Sequence, residues 1–439
     1  MHYYRTTVAE LLGGAVDTEF WTRTILQLSE AEPPIKQALI AVSNVFEMQA
    51  QNNPMDLAEA ERRSTEAYTK ALAATAQRVA EPDAEVVALA TCVLFLCLHC
   101  LQGDRDKAVM LLRSGSGVMR KLMRTLQNPD NSGNTAIAEM FLPIFERMIL
   151  LLRMFGEAHP HIRDQDEMLS ENFEDRLSHL GSLEEARVTL HWLVHETHDL
   201  IITGRPQRHE VELDEEHMQV CLRRQGMQLA AYSSWMEGFE KLLADPASTF
   251  DERSIVQLRL TYVVSLLWLS TALDAEEETY DKYLPEFQTI CKEAAHIIAG
   301  GTPLFQLEMG VIPPLYFTAL RCRDPSTRLR AQELLQQAPA KEGLWNREEA
   351  LRVVRRVVNL EMTQNQFVGK GVKFQNAKIC DSRTRYTDEE GTHVTFHAKQ
   401  DGSRDMWMIW EECIPLWYHA SMEQLEQPLH TLLTQKGVN

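Results

Sequence analysis

The stretch VVALATCVLFLCLHCLQGDRDKAVMLLRSG, residues 86–115, decides the fold class of this chain. Its first part is almost continuously apolar, and its second part alternates apolar and polar residues at helical spacing. This pattern predicts helices over 83–102 and 105–127. Small residues at helical spacing also occur upstream in AYTKALAATA (67–76), as in packed helix hairpins. We therefore expect a repeat-like array of antiparallel helix hairpins, without a strict period of about 34 residues.

Helical periodicity extends over most of the chain. Further helices are predicted at 3–13, 17–29, 34–51, 55–80, 134–157, 182–203, 212–244, 250–273, 278–299, 310–321, 325–337 and 347–365. Two start signals are clear, because Pro33-Pro34 and Asp324-Pro325 each stand at a predicted helix start. The resulting fold class is mainly α.

The C-terminal region has the pattern of strands. The candidates are VKFQNAKIC (372–380), THVTFHAK (392–399) and DMWMIWEEC (405–413), separated by the turn signals DEEG (388–391) and QDGS (400–403). In the middle strand, Val394 and Phe396 share one face, and His393, Thr395 and His397 share the other. We expect a helical domain over 1–370, a small antiparallel β-meander packed on it over 371–417, and a C-terminal helix or tail over 418–439.

Composition narrows the classes of function. Acidic residues outnumber basic ones by 63 to 44, which gives a formal charge of −19 and argues against general nucleic-acid binding. The apolar runs at 91–101 and 260–273 are shorter than the roughly 20 residues that span a bilayer. The N-terminus lacks the pattern of a secretory signal. We therefore expect a soluble, intracellular protein without a membrane partner.

The cysteines and glycines do not predict a ligand site. Cys97 and Cys100 have the spacing of half a zinc site, but they lie in an apolar helix without a second half nearby. A core role is favoured, and no metal site is expected. Gly115-Ser116-Gly117 lies inside a helical pattern instead of between a strand and a helix, which favours helix packing over phosphate binding.

The most unusual local feature is LHWLVHETHDL, residues 190–200. His191, His195 and His198 share one helical face at the edge of the predicted core. The first and last are separated by roughly 10 Å of helix rise, so all three cannot easily bind one metal ion. A structural or solvent-edge role is favoured, and a pocket rim with acid–base or ligand-recognition duty is the alternative.

Two weaker features remain. Trp192, Trp235 and Trp268 lie in predicted helices and suit a core better than a cofactor site, although Trp192 and Trp268 are candidates for a ligand pocket. The basic run LRCRDPSTRLR (320–330) and the arginines at 352, 355 and 356 form a positive patch that could contact DNA or a partner. A solvated face with local ion pairs is favoured there. No catalytic or dinucleotide-binding sequence motif is legible, and no cofactor is expected.

Four stretches resemble the fungal-specific transcription-factor domain, the large helical region that follows the zinc cluster in binuclear zinc-cluster regulators. They are residues 2–47, residues 86–115, residues 313–361 with Arg321–Asp324 and Glu342–Trp345, and the final strands ending WEECIPLW (410–417). The resemblance implies an all-helical regulatory domain that supports dimerisation, inhibition of an adjacent DNA-binding module or, in sterol-uptake regulators, sensing of a hydrophobic ligand. No zinc cluster, basic linker or coiled-coil heptad precedes residue 2, so we expect no direct nucleic-acid binding by this chain.

Three functions are therefore open. The first is a regulator that senses a small apolar metabolite, a protein partner or a second copy of itself, and acts in the nucleus. The second is a cytoplasmic, cofactor-independent cyclase or isomerase of fungal secondary metabolism, with His191, His195 and His198 as candidate catalytic residues. The third is a scaffold for another protein. The regulator is favoured.

Overall fold

The structure, a computed structural model, is built mainly of α-helices. It describes residues 1–13, 18–49, 54–81, 83–125, 132–154, 162, 173–209, 214–245, 250–274, 277–301, 305–307, 309–362, 367–369, 372–374, 378–399 and 407–418. Within these ranges it contains fifteen α-helices and three small sheets. The expected fold class is confirmed.

The N-terminal segment contains two π-helical turns, each followed by a short α-helix. Tyr4–Val8 leads into α1 (Ala9–Gly13), and Phe20–Thr24 leads into α2 (Ile25–Ala31). The buried Tyr4 hydroxyl donates a hydrogen bond to the Trp21 carbonyl at 3.1 Å, which joins the two turns. The following helix, α3 (Pro33–Gln49), starts at the proline that the sequence indicated.

Four long helices form the first part of the body. They are α4 (Pro54–Val79), α5 (Glu85–Gln102), α6 (Arg105–Thr125) and α7 (Ser132–Arg153). Gly103 ends α5 in the left-handed region at φ 82° and lets the chain turn into α6 within two residues. A Cβ at Gly115 would lie 2.4 Å from the Phe145 ring and 2.6 Å from the Cys92 sulfur. The predicted helix-packing role of Gly115 is confirmed.

The next helices surround a second apolar cluster. They are α8 (Phe173–Ser178), α9 (Leu183–His209), α10 (Glu215–Ala244), α11 (Glu252–Thr271) and α12 (Leu284–Ala299). A 3₁₀ turn, Glu277–Tyr283, precedes α12, so the predicted helix over 278–299 begins as a tighter turn. Helix α8 lies in a segment where no helix was predicted.

Among the residues that the structure describes, two helices have the length and apolar composition of a membrane span. They are α5 and α11, and 78% and 61% of their apolar windows are buried inside the protein. Such burial is what the core helices of a folded domain show, because other helices occupy the space that lipid would take.

The last three helices that the structure describes are flanked by short strands. They are α13 (Ile312–Arg321), α14 (Pro325–Gln337) and α15 (Arg347–Met362). Strand β1 (Phe305–Gln306) pairs in parallel with β2 (Lys341–Glu342), which pairs antiparallel with β3 (Trp345–Asn346). Asp324 caps α14 by accepting the Thr327 N–H at 2.7 Å, as the Asp-Pro sequence predicted.

The C-terminal strands form a hairpin and a meander. The hairpin joins β4 (Phe367–Gly369) and β5 (Val372–Phe374), and the antiparallel meander runs β6 (Lys378–Thr387), β7 (Gly391–Lys399), β8 (Trp407–Pro415). The predicted first strand over 372–380 is correct in part: its start is β5, its end is the start of β6, and residues 375–377 lie outside the described residues. Strand β6 continues beyond the predicted end to Thr387 and contains two register shifts, which interrupt its alternation.

The predicted burial of the middle strand is confirmed for Val394 and Phe396. Thr395 is buried as well, although it lies on the face opposite Val394 and Phe396. The Arg385 side chain donates a hydrogen bond to its hydroxyl at 3.0 Å and covers it. The turn at 388–391 is confirmed, whereas the turn at 400–403 and the predicted helix at 419–434 lie outside the described residues. The division into segments 1–370, 371–417 and 418–439 stays a prediction.

Candidate functional site

The predicted histidine face lies on α9, which α7, α10 and α11 surround. His195 and His198 are buried, and His191 is half-buried. Of the two favoured roles, structural or solvent-edge, the contacts of His195 and His198 agree with the structural one, and neither of these two lies at the solvent edge. The sequence located the apolar arc of α9 correctly, but α7 also covers the histidine side of the helix, and a pattern on α9 alone cannot report that.

His195 links α9 to α7. Its Nε2–H donates to the Glu146 carbonyl at 3.0 Å. In return, the buried Arg153 of α7 donates to the His195 carbonyl at 3.3 Å and forms an ion pair with Asp199. Hydrogen bonds run in both directions between the two helices, so the side chain of His195 holds their relative position.

His198 lies at a contact with α11. Its Nδ1–H donates to the Val194 carbonyl at 3.0 Å, one turn back on its own helix. Burial lowers the pKa of His198 to about 4, and the charge of Arg153 acts in the same direction. The ring is therefore neutral at pH 7, and its Nε2 is a hydrogen-bond acceptor.

His191 is the third member of the face. Burial lowers its pKa to about 3, and the positive charges of Arg147 and Arg187 add to the effect. A base with so low a pKa is almost entirely neutral at physiological pH. Neither His191 nor His198 thus has the pKa near 7 that suits general acid–base catalysis. The assignment of catalysis to these residues stays a prediction.

Trp268 is the point where the two apolar clusters meet. Its half-buried side chain packs against both of them. The Trp268 ring meets the His198 ring edge-on at 5.2 Å and the Phe317 ring edge-on at 5.8 Å. Phe317 continues the contact to Tyr280 and Phe287 at 5.9 and 6.0 Å. We call these five residues the aromatic seam.

Trp192 and Trp235 lie in the second cluster and do not belong to the seam. Trp192 is half-buried against the apolar residues of this cluster. Trp235 is fully buried, and its Nε1–H donates to the Ala186 carbonyl at 2.9 Å. The predicted core role of Trp235 is confirmed. The two candidate pocket residues, Trp192 and Trp268, therefore have different surroundings, and Trp268 alone of the two packs against both clusters.

The cysteines of α5 have a core role. Cys92, Cys97 and Cys100 are buried, and burial raises the pKa of Cys100 to about 12, so its thiol stays protonated. Among the described residues, no group of three or more His, Cys, Asp or Glu side chains is placed to hold a metal ion.

The arginines of the basic run form the predicted ion pairs, but Arg328 is buried, so the solvated part of the prediction was wrong for it. Arg328 is buried and donates to the Ala319 carbonyl at 2.7 Å and to Glu361 at 2.6 Å. Arg323 reaches the other oxygen of Glu361 at 2.6 Å. Burial alone would raise the pKa of Glu361, but the charges of Arg328 and Arg323 outweigh it and lower that pKa. The sequence shows the positive charges, whereas the carboxylate that neutralises them is 33 residues away from Arg328.

Other arginines fasten the meander to the helical body. Arg321 donates to the Ile379 carbonyl of β6 at 3.2 Å. Arg352 donates to Thr392 at 3.0 Å, and Arg356 forms an ion pair with Glu412 at 2.6 Å. These arginines are engaged within the protein, which reduces the positive surface that DNA would need.

Sequence reasoning missed the function of Glu342 within the fold. This buried carboxylate accepts the N–H groups of Gly310, Val311 and Ile312 at 3.2, 2.9 and 2.8 Å. It therefore caps α13 from a distant strand. A Cβ at Gly310 would lie 2.3 Å from the carboxylate, which is why glycine stands there. The signal available in the sequence was the charged residue Glu342 directly before Gly343.

Comparison with known protein families gives a match in the first half of the chain. Residues 1–193 match the sequence profile of the fungal specific transcription factor domain. Residues 1–193 belong to this family. The resemblance expected for 2–47 and 86–115 is thereby confirmed, and the later stretches lie outside the matched range. Membership in a transcription-factor family supports a regulatory role.

One relative is the aspercryptin biosynthesis cluster-specific transcription regulator atnN of Emericella nidulans, which is 31% identical over 75 residues. That alignment covers 17% of this chain and 12% of the regulator, well under two thirds of its length. No solved structure matches the chain.

Proposed function

We propose that this chain is a fungal transcription regulator whose helical body responds to a small apolar ligand or to a protein partner. The observation that carries the proposal is the match of residues 1–193 to the fungal specific transcription factor domain. The similarity of 75 residues to a cluster-specific regulator points the same way, and suggests genes of secondary metabolism as targets. A protein with this role acts in the nucleus.

The charge distribution supports regulation through ligands or proteins over direct DNA binding by the described helices. The formal charge is −19. Arg321, Arg328, Arg352 and Arg356, which made the basic run a candidate surface, bind groups of the protein itself. A DNA-reading surface needs basic side chains that face the phosphates. The helical body is therefore better suited to regulating transcription than to contacting DNA directly.

The aromatic seam supports the response to a ligand. Trp268 is half-buried and lies between the two apolar clusters, so a ligand that binds against it touches both. The neighbouring His198 is neutral and presents Nε2 as an acceptor. An apolar molecule with one hydroxyl group fits this combination, because its hydrocarbon part would pack on Trp268 and its hydroxyl would donate to His198.

The regulatory role is tested by deleting the gene for this protein in its host and measuring transcripts. We expect a coordinated set of transcripts to change several-fold in the null strain and to return when the wild-type chain is restored. A strain that carries the chain with a mutated start codon is the matched control. Unchanged transcripts in the null strain, under conditions where the wild type makes the protein, would contradict the proposal.

A further inference from the structure

Two helices that run in the same direction lie against the buried helix α5. The Tyr68 ring of α4 meets the His99 ring near the end of α5 at 5.4 Å, and Arg78 donates to the Asp83 carbonyl just before α5 begins at 3.4 Å. Helix α4 therefore runs antiparallel to α5. Helix α6 does so too, because it follows α5 after the tight turn at Gly103. Both helices pack on α5, so α4 and α6 are parallel to each other.

A shallow groove lies between α4 and α6, with one face of α5 as its floor. The Phe95 ring of this face meets the Tyr68 ring of α4 at 5.1 Å. Three residues earlier, the Cys92 thiol donates to the Leu111 carbonyl of α6 at 3.1 Å. Ala88 lies one turn before Cys92 on the same face and is only half-buried, so the groove is open at this end.

The walls of the groove are apolar. Leu72 and Val79 of α4 are 48% and 44% exposed, and Leu111 and Val118 of α6 are half-buried. We call these four residues and Ala88 the α4–α6 groove. Leu72 and Val79 are seven residues apart, which is about 10 Å of helix rise. This length suits a partner helix whose apolar residues recur at i, i+4 and i+7.

Helix α6 is strongly basic, although the whole chain is acidic. It contains six basic residues and one acidic residue, in a chain whose formal charge is −19. Lys121 and Arg124 follow Val118 on α6, are exposed, and have no ion-pair partner in the part of the chain that the structure describes. Lys107, at the other end of the groove, pairs with Asp104 at 2.6 Å. The open end of the groove is therefore flanked by positive charge.

Other exposed apolar residues lie in different electrostatic surroundings. Leu222 and Met227 lie on α10, which carries four acidic and three basic residues. Ile409 and Trp417 lie in a segment whose two charged residues are both acidic. Leu329 lies between two arginines that both pair with carboxylates of the protein itself. Among the described helices that bear exposed large apolar residues, α6 has the largest excess of positive charge.

We propose that the α4–α6 groove binds an acidic amphipathic helix of a partner protein. The apolar face of that helix packs on Leu72, Val79 and Val118, and carboxylates beside this face pair with Lys121 and Arg124. Nucleic acid fits less well, because its phosphates would pair with the cations and leave the apolar walls uncovered. The regulatory role proposed above does not depend on the groove, since a regulator that responds only to a small ligand does not need it.

Fluorescence anisotropy with a labelled synthetic peptide tests the groove. The probe is a helical peptide of about 14 residues with leucine on one face and glutamate on the other. We expect the full chain to bind it with a Kd of about 10 µM at about 0.15 M salt. The same peptide with lysine in place of glutamate, or with serine in place of leucine, should bind at least about tenfold more weakly.

Three variants assign the binding to the groove. Leu72→Ser and Lys121→Glu should each weaken binding of the probe at least about fivefold, and Lys121→Glu should also improve binding of the lysine peptide. Lys70→Glu is the matched control, because Lys70 is exposed on α4 but lies off the row of Leu72 and Val79, so the affinity should not change. All three positions are exposed, and circular dichroism shows that each variant is folded.

Three results would overturn the proposal. The first is a wild type that does not bind the probe at about 100 µM. The second is binding that both Leu72→Ser and Lys121→Glu leave unchanged. The third is equal binding of the peptide without leucine, together with tighter binding of a DNA duplex of about 20 base pairs, which would show a general surface for polyanions.

Discussion

The buried carboxylate of Glu342 accepts the backbone N–H of Ile312 at 2.8 Å and so caps α13 from a strand 30 residues further along the chain. It also accepts the N–H groups of Val311 and Gly310. Three donors at a helix N-terminus balance one negative charge, so the carboxylate is stable in the protein interior.

Replacing Glu342 with glutamine should destabilise the fold by about 2–3 kcal/mol, because the new amide group points a donor at backbone donors. Urea unfolding measures the loss. Glu348→Gln is the matched control, since Glu348 is exposed and pairs only with its neighbour Arg347, so a change within about 0.5 kcal/mol is expected. Equal effects of the two substitutions would contradict the capping role.

Alanine substitutions of two neighbouring glycines of α6 should change the free energy of unfolding in opposite directions. Gly115→Ala places a methyl group against Phe145 and Cys92 and should cost about 1–3 kcal/mol. Gly117→Ala meets no atom within 4 Å and should stabilise the helix by about 0.5–1 kcal/mol. Thermal unfolding of both variants checks the pair. A stabilising Gly115→Ala would show that α5, α6 and α7 do not pack closely at this position.

His198 should make the folded state less stable in acid. Its pKa is lowered to about 4 in the folded state, whereas an unfolded histidine titrates near 6.5. Below pH 6.5 the unfolded chain therefore binds a proton that the folded chain does not, and stability is lost as the pH falls to about 4. The loss from this group is about 3 kcal/mol.

The measurement compares wild type with His198→Gln over this pH range. The variant cannot take up the proton at this position. The difference in the free energy of unfolding between wild type and variant should therefore shift by about 3 kcal/mol against the wild type between pH 7 and pH 4. The comparison removes the contribution of carboxylates, which both proteins share. A wild-type advantage that does not change with pH would show that His198 is not held neutral by burial.

A hydroxylated apolar ligand should bind at the aromatic seam. A long-chain alcohol is expected to raise the thermal midpoint and to change tryptophan fluorescence, and its methyl ether should bind about tenfold more weakly because it cannot donate to His198. Trp268→Phe should remove the fluorescence change, and Trp192→Phe, outside the seam, should keep it. Equal binding of alcohol and ether, or a response that survives Trp268→Phe, would rule out this site.

Much of the fold was predictable because its signals are local. Asp324-Pro325 starts α14, and the apolar periodicity of 86–115 identifies α5 and α6 within a few residues. The errors arise where distant segments meet. Burial of His195 depends on α7, and neutralisation of Arg328 depends on Glu361 in α15. No pattern within one helix contains this information. The prediction also missed that β6 continues beyond residue 380 to Thr387, where its register shifts interrupt the alternation.

The candidate site was predicted in part. His198 and Trp268 were both singled out from the sequence, and the structure places their rings 5.2 Å apart. Their contact could not be foreseen, because the two residues belong to helices whose packing the sequence does not specify. Phe317 was not singled out, since an aromatic residue in an apolar helix gives no signal beyond core packing.

The regulatory role is tested most directly by fusing the full chain to a DNA-binding module of known specificity and measuring a reporter gene with the matching site. We predict that the fusion changes reporter expression several-fold relative to the DNA-binding module alone, at equal protein levels in the nucleus. Reporter expression equal to that of the module alone, from a folded and nuclear fusion, would contradict the central claim.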